Sequence, residues 1–240
     1  VYWVMRLSGM RESQYKYRMS RVVVKLSGSI FDLDADTVVM REYADLFRGL
    51  LDDGIQTIII AGGGKEARRY IEYARMLNAD ESNLDELGIA VSRLNARLLI
   101  HAIGDHAYPL VPTSLEEMSV YVTSRKVVVS GGLHPGQSTN ATAALIAERV
   151  RASMFINATD VDGIYTADPG KYKEAKLIKR ISVKELLTML MDGKFDAGTY
   201  ELMDIVALKV IERSRIPVRV IKATAGNIRS VVNGESIGTE

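Results

Sequence analysis

A three-layer αβα sandwich around a mostly parallel central sheet, an α/β fold, is what this sequence predicts, on three observations. Short β-branched runs alternate with amphipathic stretches of helical spacing from residue 21 onward. Two of those runs pass directly into glycine turns, Gly62–Gly64 and Gly131–Gly132, that lead toward the next helix. The composition, 47% hydrophobic and 25% charged over 240 residues, is that of a chain able to bury a full core.

Each element has its own signal. Arg21–Leu26 is short, β-branched and closed by Ser27-Gly28, as a buried parallel strand should be. Thr37–Leu51 carries apolar residues near helical spacing, with Gly54 as a stop. Thr57–Ala61 repeats the strand signature and enters three glycines and a helix over Lys65–Leu77. A helix over Leu87–Ile100 follows, then a strand at Lys126–Ser130, a helix at Thr139–Arg151 and a strand at Met154–Thr159. Val161–Lys179 breaks the rhythm with Gly163, Pro169 and Gly170 and reads as a surface loop. Helices at Val183–Met191 and Leu202–Arg215, a strand at Val218–Ile221 and a short element at Ile228–Val232 complete the alternation, which contains neither a long linker nor an internal repeat. Residues 1–20 show no sustained period and read as a loosely ordered extension, with Met19 as a candidate start; a partner-binding arm is the alternative.

Bulk properties narrow the function classes. With 31 basic against 30 acidic residues the net charge is +1, too small a field to gather a nucleic-acid polymer or an acidic membrane, so any phosphate must be bound locally. Cysteine is absent, which excludes disulfides, thiolate metal sites and thiol nucleophiles. No apolar run approaches the roughly 18 residues of a membrane span and no signal-peptide pattern opens the chain, so a cytoplasmic location is expected.

The residues with chemical potential gather around the turns. Gly62–Gly64 lets the backbone reach φ > 0 and turn amides and a helix N-terminus toward an anion, although a plain tight turn needs only one glycine. The P-loop and Rossmann fingerprints are both missing, which disfavours a dehydrogenase. Arg68 and Arg69 stand in the first turns of the following helix, where a guanidinium can fork onto a phosphate. The second turn, through Ser138 and Thr139, opens on the same sheet edge; N-capping is the plain role of Ser138. Lys25 places a charge inside an apolar strand, costly unless an anion meets it. Asp160, Asp162 and Asp168 suit Mg²⁺ or the holding of lysines, whereas His101, His106 and His134 have no ligand-like spacing.

Lys25-Leu-Ser-Gly28, Ala61-Gly-Gly-Gly64, Asp162-Gly-Ile-Tyr-Thr-Ala-Asp-Pro169 and Ile216-Pro-Val-Arg-Val220 together resemble the amino-acid kinase family, over nearly all of residues 21–238. Within it, Gly62-Gly-Gly-Lys-Glu-Ala-Arg68, Leu84-Asp-Glu-Leu-Gly88, Pro135-Gly-Gln-Ser-Thr139 and Ala197-Gly-Thr-Tyr-Glu-Leu202 are similar to the uridylate kinases, particularly the archaeal type. The resemblance implies phosphoryl transfer from ATP to UMP with Mg²⁺, in pyrimidine nucleotide synthesis. It implies an acceptor-binding half over about residues 21–158 and an ATP-binding half over about 159–240.

Residue by residue, the resemblance implies that Arg68 binds the UMP phosphate, Asp85 the ribose hydroxyls, and Ser138 and Thr139 the acceptor side. Gly63 and Gly64 lend amides to phosphates; Lys25, Lys209 and Asp168 form the catalytic set. Ser27, Gly28, Gly64 and Tyr165, with Lys25 and Asp168, lie on the ATP side, and Tyr200 near it. No metal ligand is assigned. A homohexamer and feedback by UTP are also implied. The sequence departs from the bacterial pattern at Asn140 and Asp160, where Asp and Lys are common, so neither carries a role. Kinases of the same fold acting on isopentenyl phosphate, carbamate, aspartate or acetylglutamate are the rival readings, then a non-catalytic nucleotide sensor. Arg68 with Asp85 favours a nucleotide acceptor.

Overall fold

The computed structural model describes residues 19–32, 34, 36–191 and 203–240. The extension over 1–18, Tyr200 and the 197–202 motif lie outside the described residues.

Five strands, β1 (Ser20–Leu26), β2 (Ile55–Ala61), β3 (Val128–Ser130), β4 (Met154–Thr159) and β5 (Val218–Lys222), form one sheet in the order β3-β2-β1-β4-β5. All four pairings are parallel. The expected three-layer sandwich is therefore present, and every strand is buried on both faces, which explains the near-continuous apolar runs. One face carries α1 (Thr37–Asp52), α3 (Glu81–Ile103) and α8 (Ala225–Val232), packed on Val22, Val24 and Leu26 of β1. The other carries α4 (Leu115–Tyr121), α5 (Thr139–Val150), α6 (Val183–Met191) and α7 (Ile205–Ser214), packed around Val23, Ile58 and Phe155. The remaining helix, α2 (Gly64–Met76), lies along α3 and buries little beyond Ala67.

Two elements differ from the sequence reading. Helix α3 starts at Glu81, six residues earlier than its apolar period, because Asp80 caps it by accepting the Asn83 amide at 2.9 Å while Leu84 alone in that first stretch is buried. Helix α4 escaped notice because only Met118 of its residues is buried; Ser114 caps it, accepting the Glu117 amide at 3.1 Å.

The surface loop over 161–181 is tied back by the last residues of the chain. Thr239 pairs with Val220, accepts the Ile164 amide at 2.8 Å on its hydroxyl and donates that hydroxyl to Ile178 O at 2.6 Å.

Candidate active site

In a parallel sheet whose second and third strands are added on one side of β1 and whose fourth and fifth are added on the other, the chain connections diverge between β1 and β4. The carboxyl ends of those strands then border an open crevice. Lys25 sits on β1 at that point, in register with Ile60 of β2 and Asn157 of β4. It is half-buried and makes no hydrogen bond or ion pair among the described residues. Burial pushes its ammonium down from 10.5 to about 8, and the charge of Asp160 opposes that shift.

Asp160 follows β4 directly and accepts the Ser29 hydroxyl at 2.7 Å. Ser27 caps the 3₁₀ turn Gly28–Phe31, whose first residue fits against the Gly62–Gly64 turn. A Cβ on Gly28 would run into the backbone of Gly64, and one on Gly62 would stand 2.7 Å from the Gly28 nitrogen. Glycine is required on both sides because two backbones meet there. Gly64 also has φ +68°, a conformation that a side chain disfavours.

Helix α2 begins at this contact without a cap of its own. The buried carboxylate of Asp32 substitutes, accepting the Lys65 amide at 2.8 Å and pairing with its ammonium at 3.3 Å. Asn95 of α3 donates to Gly62 O at 2.8 Å and so fixes the turn from below. The amides of Gly63 and Gly64 have no acceptor among the described residues. Two amides left without acceptors at a helix N-terminus have the geometry that favours an anion.

The two arginines of α2 now separate. Arg69 pairs with Glu66 at 3.3 Å, whereas Arg68 is exposed and has no partner among the described residues. On α3, the Asp85 carboxylate accepts the Gly136 amide at 2.7 Å and ties the Pro135–Thr139 loop to that helix. Thr139 is the first residue of α5, and its hydroxyl has no partner among the described residues.

Other expected site residues are engaged elsewhere. Ser138 takes the plain role, capping α5 by accepting the Ala141 amide at 3.0 Å and donating its hydroxyl to Asp204, the cap of α7. The Gly131–Gly132 turn is a packing device rather than a second phosphate cradle. The Gly132 amide donates to the Ser92 hydroxyl at 2.9 Å, and a Cβ on Gly131 would stand 2.6 Å from the Arg93 nitrogen. Arg93 closes the turn by donating to Gly132 O and Leu133 O, both at 3.0 Å.

Asp168 accepts the Gly170 amide at 2.8 Å and shapes its own turn, while the carboxylate whose field reaches Lys25 is that of Asp160. Lys209 lies on the exposed surface of α7, paired with Glu212 at 3.0 Å, and no contact brings it to Lys25. Tyr165 donates to Asp162 at 3.3 Å and pairs with Leu177 in the 161–181 loop. Among the described residues no three His, Cys, Asp or Glu side chains gather as metal ligands.

The sequence reading missed Asp32 and Asn95, and offered Asp160 only as one of three loop carboxylates suited to Mg²⁺ or to the holding of lysines. Asp160 was recoverable in principle, since the residue just beyond a strand end at the point of divergence borders the crevice; identifying that point requires the strand order.

The amino acid kinase family profile matches residues 20–222. The uridylate kinase of Methanocaldococcus jannaschii is 41% identical over 221 residues, covering 91% of this chain and 98% of that protein. The uridylate kinase of Hyperthermus butylicus is 45% identical over 219 residues, covering 91% and 96%. Among solved structures, uridylate kinase from Archaeoglobus fulgidus superposes with a TM-score of 0.82 at 42% identity, covering 91% of this chain and 98% of that one. UMP kinase from Ureaplasma parvum, at 21% identity, covers 93% of this chain and all of its own with a TM-score of 0.76 and shares the fold. With the profile spanning all five strands and relatives above 40% identity along nine-tenths of its length, the chain belongs to the amino acid kinase family.

Proposed function

We propose that this protein transfers the γ-phosphoryl group of ATP to UMP, giving ADP and UDP, in pyrimidine nucleotide synthesis. The observation that carries the phosphoryl-transfer reading is Lys25, a half-buried ammonium without a partner among the described residues, at the crevice end of β1 and in register with the end of β2 that leads into Gly63 and Gly64. The names and identities of the relatives favour UMP as acceptor. So do Arg68 and Asp85, a free guanidinium for a phosphate and a carboxylate for ribose hydroxyls.

Phosphoryl transfer asks the protein for positioning and charge compensation rather than a nucleophile. Lys25 neutralises the charge on the transferring group, and the amides of Gly63 and Gly64 hold phosphate oxygens in line. Arg68 holds the acceptor phosphate, while Asp85 and Thr139 orient the acceptor nucleoside, with Ser138 keeping α5 in place. The charge of Asp160 favours the protonated ammonium. A Mg²⁺ ion carried by ATP would need only one or two protein carboxylates, of which Asp160 would supply one, and would offset phosphate charge there. Ser27, Gly28, Tyr165 and Asp168 border the donor nucleotide. Under this division the acceptor half covers about residues 21–158 and the donor half about 159–240.

The family resemblance alone supports a cytoplasmic homohexamer with UTP feedback; among the described residues no helix is long and apolar enough to cross a membrane.

An ADP-release assay with UMP, CMP, AMP, isopentenyl phosphate and carbamate tests the proposal. Turnover is expected with UMP. Turnover only with a non-nucleotide acceptor would overturn the acceptor and retain the kinase; none with any acceptor would overturn both.

A further inference from the structure

The opposite, amino-terminal edge of the sheet carries a second concentration of cationic side chains. A cavity of about 400 Å³ opens there, lined by Met19, Ser20, Arg21, Gln56, Arg125, Arg151 and Ser153. Arg21 is braced: its Nε donates to Gln56 Oε1 at 3.0 Å and its Nη1 to Val150 O at 3.1 Å. Gln56, fully buried, is itself fixed by donating to Val122 O and Lys126 O, both at 2.9 Å.

Arg125 and Arg151 are exposed and carry no hydrogen bond or ion pair among the described residues. Both stand three residues before a strand in the left-handed region, at φ 60° and 54°, where glycine or asparagine is the usual residue at a helix end. Arg215 repeats the arrangement three residues before β5, at φ 54°, and extends the row along the same edge. Three carboxylates shortly before the strands are engaged, Asp53 with Arg229 at 2.5 Å, Asp52 with His106 at 3.6 Å and Glu148 with Arg213 at 2.5 Å, whereas the exposed Asp105 carboxylate has no partner among the described residues. A chain with a net charge of only +1 therefore places two guanidinium groups without a partner among the described residues, Arg125 and Arg151, in the wall of one cavity with the braced Arg21.

We propose that this cavity is a second anion site, in which Arg21, Arg125 and Arg151 bind the phosphate group of a small phosphorylated ligand, separate from the kinase crevice. The guanidinium fork matches phosphate oxygens and the volume lies in the range of small-molecule sites, while the Ser20 and Ser153 hydroxyls bond each other at 3.0 Å and Ser153 donates to Arg21 O at 2.9 Å. Phosphate rather than carboxylate is favoured because the guanidinium groups come from three separate segments, Arg21 on β1, Arg125 ahead of β3 and Arg151 ahead of β4, which suits an anion of several oxygens and more than one charge.

The test is equilibrium dialysis of labelled inorganic pyrophosphate against the full chain in about 150 mM salt, where exposed charges are largely screened. The wild type, Lys25→Ala and the double variant Arg125→Gly/Arg151→Gly are compared. Glycine suits both backbone conformations, so the double variant should keep or raise the melting temperature and keep its basal turnover. It should lose one pyrophosphate site or bind it at least tenfold more weakly, whereas Lys25→Ala should retain that site. Equal affinity in the double variant would overturn the proposal, as would binding lost only in Lys25→Ala, which would place all of it in the crevice. Citrate competing as well as inorganic phosphate would overturn the phosphate class. Because the readout is binding at the far edge, it stands or falls independently of which acceptor the crevice uses.

Discussion

A lysine in the middle of an apolar strand is costly to bury, and Lys25 shows what that cost implies. Its folded pKa of about 8 lies below the ordinary 10.5, so the free protein holds a charged ammonium at neutral pH and loses it as pH rises through about 8. The expected consequence is a kcat/KM for ATP that falls on the alkaline side of about pH 8, measured in steady state. Asp160 opposes the shift, so Asp160→Asn should move that limb to lower pH; an unmoved limb would remove Asp160 from the pair. Replacing Lys25 by Ala should lower kcat by about 10²–10³-fold, the scale of losing one preorganised charge-stabilising donor, with UMP affinity by calorimetry nearly unchanged. Arg68→Ala should instead raise the KM for UMP with little change in kcat, since the group is assigned to acceptor binding. Lys25 and Arg68 were legible in the sequence because their positions conflict with, or complement, their immediate neighbours. Asp160 was legible only as one of three candidate carboxylates, because what singles it out comes from a strand more than 130 residues away.

At the scale of elements, the glycine turns divide into two kinds. Gly28, Gly62 and Gly64 allow two strand ends to touch and leave the Gly63 and Gly64 amides free, whereas Gly131 and Gly132 allow a turn to lie against α3 and leave the Gly132 amide engaged with Ser92. From the sequence both looked like the same strand-to-helix cradle, because the partner of a backbone amide is set by what packs above it. Gly28→Ala should therefore cost about 1–3 kcal/mol by overpacking and also abolish turnover. Gly136→Ala, at φ +75° with nothing within 4 Å of its Cβ, should cost only about 1 kcal/mol from the backbone. Denaturant unfolding of the two variants separates these outcomes; similar losses would mean the Gly28 contact is not tight. Helices α1, α2 and α5 were foreseen because their periods or caps are strong. The start of α3 and all of α4 were not, since a few buried side chains per helix make no periodic pattern.

At the scale of the whole molecule, Lys25 links the site to global stability. Below about pH 8 the ammonium is charged in folded and unfolded chains alike, and folding bears its full desolvation. Between about 8 and 10.5 the folded protein releases the proton while the unfolded chain keeps it, so the penalty falls as pH rises. Lys25→Met should consequently be more stable than the wild type at pH 7, and the gap should narrow above pH 8 in parallel unfolding titrations. A gap independent of pH would assign the difference to packing instead.

By itself the sequence determined the alternation of buried strands and helices, the parallel sense of the sheet, and the residues whose chemistry contradicts their setting, Lys25 and Gly62–Gly64 above all. Those properties are local: periodicity, β-branching and charge in an apolar run act within a few residues. Only the tertiary structure decided the order β3-β2-β1-β4-β5, and with it which strand ends border the crevice. It set Asp160 rather than Asp168 beside Lys25, paired Lys209 with Glu212, gave Ser138 to Asp204 as well as to its own helix, and lined the far edge with arginines. Each of these depends on which distant segments pack together, and burial and partner together set whether a charge is compensated, whether an amide is free, and where an anion can bind.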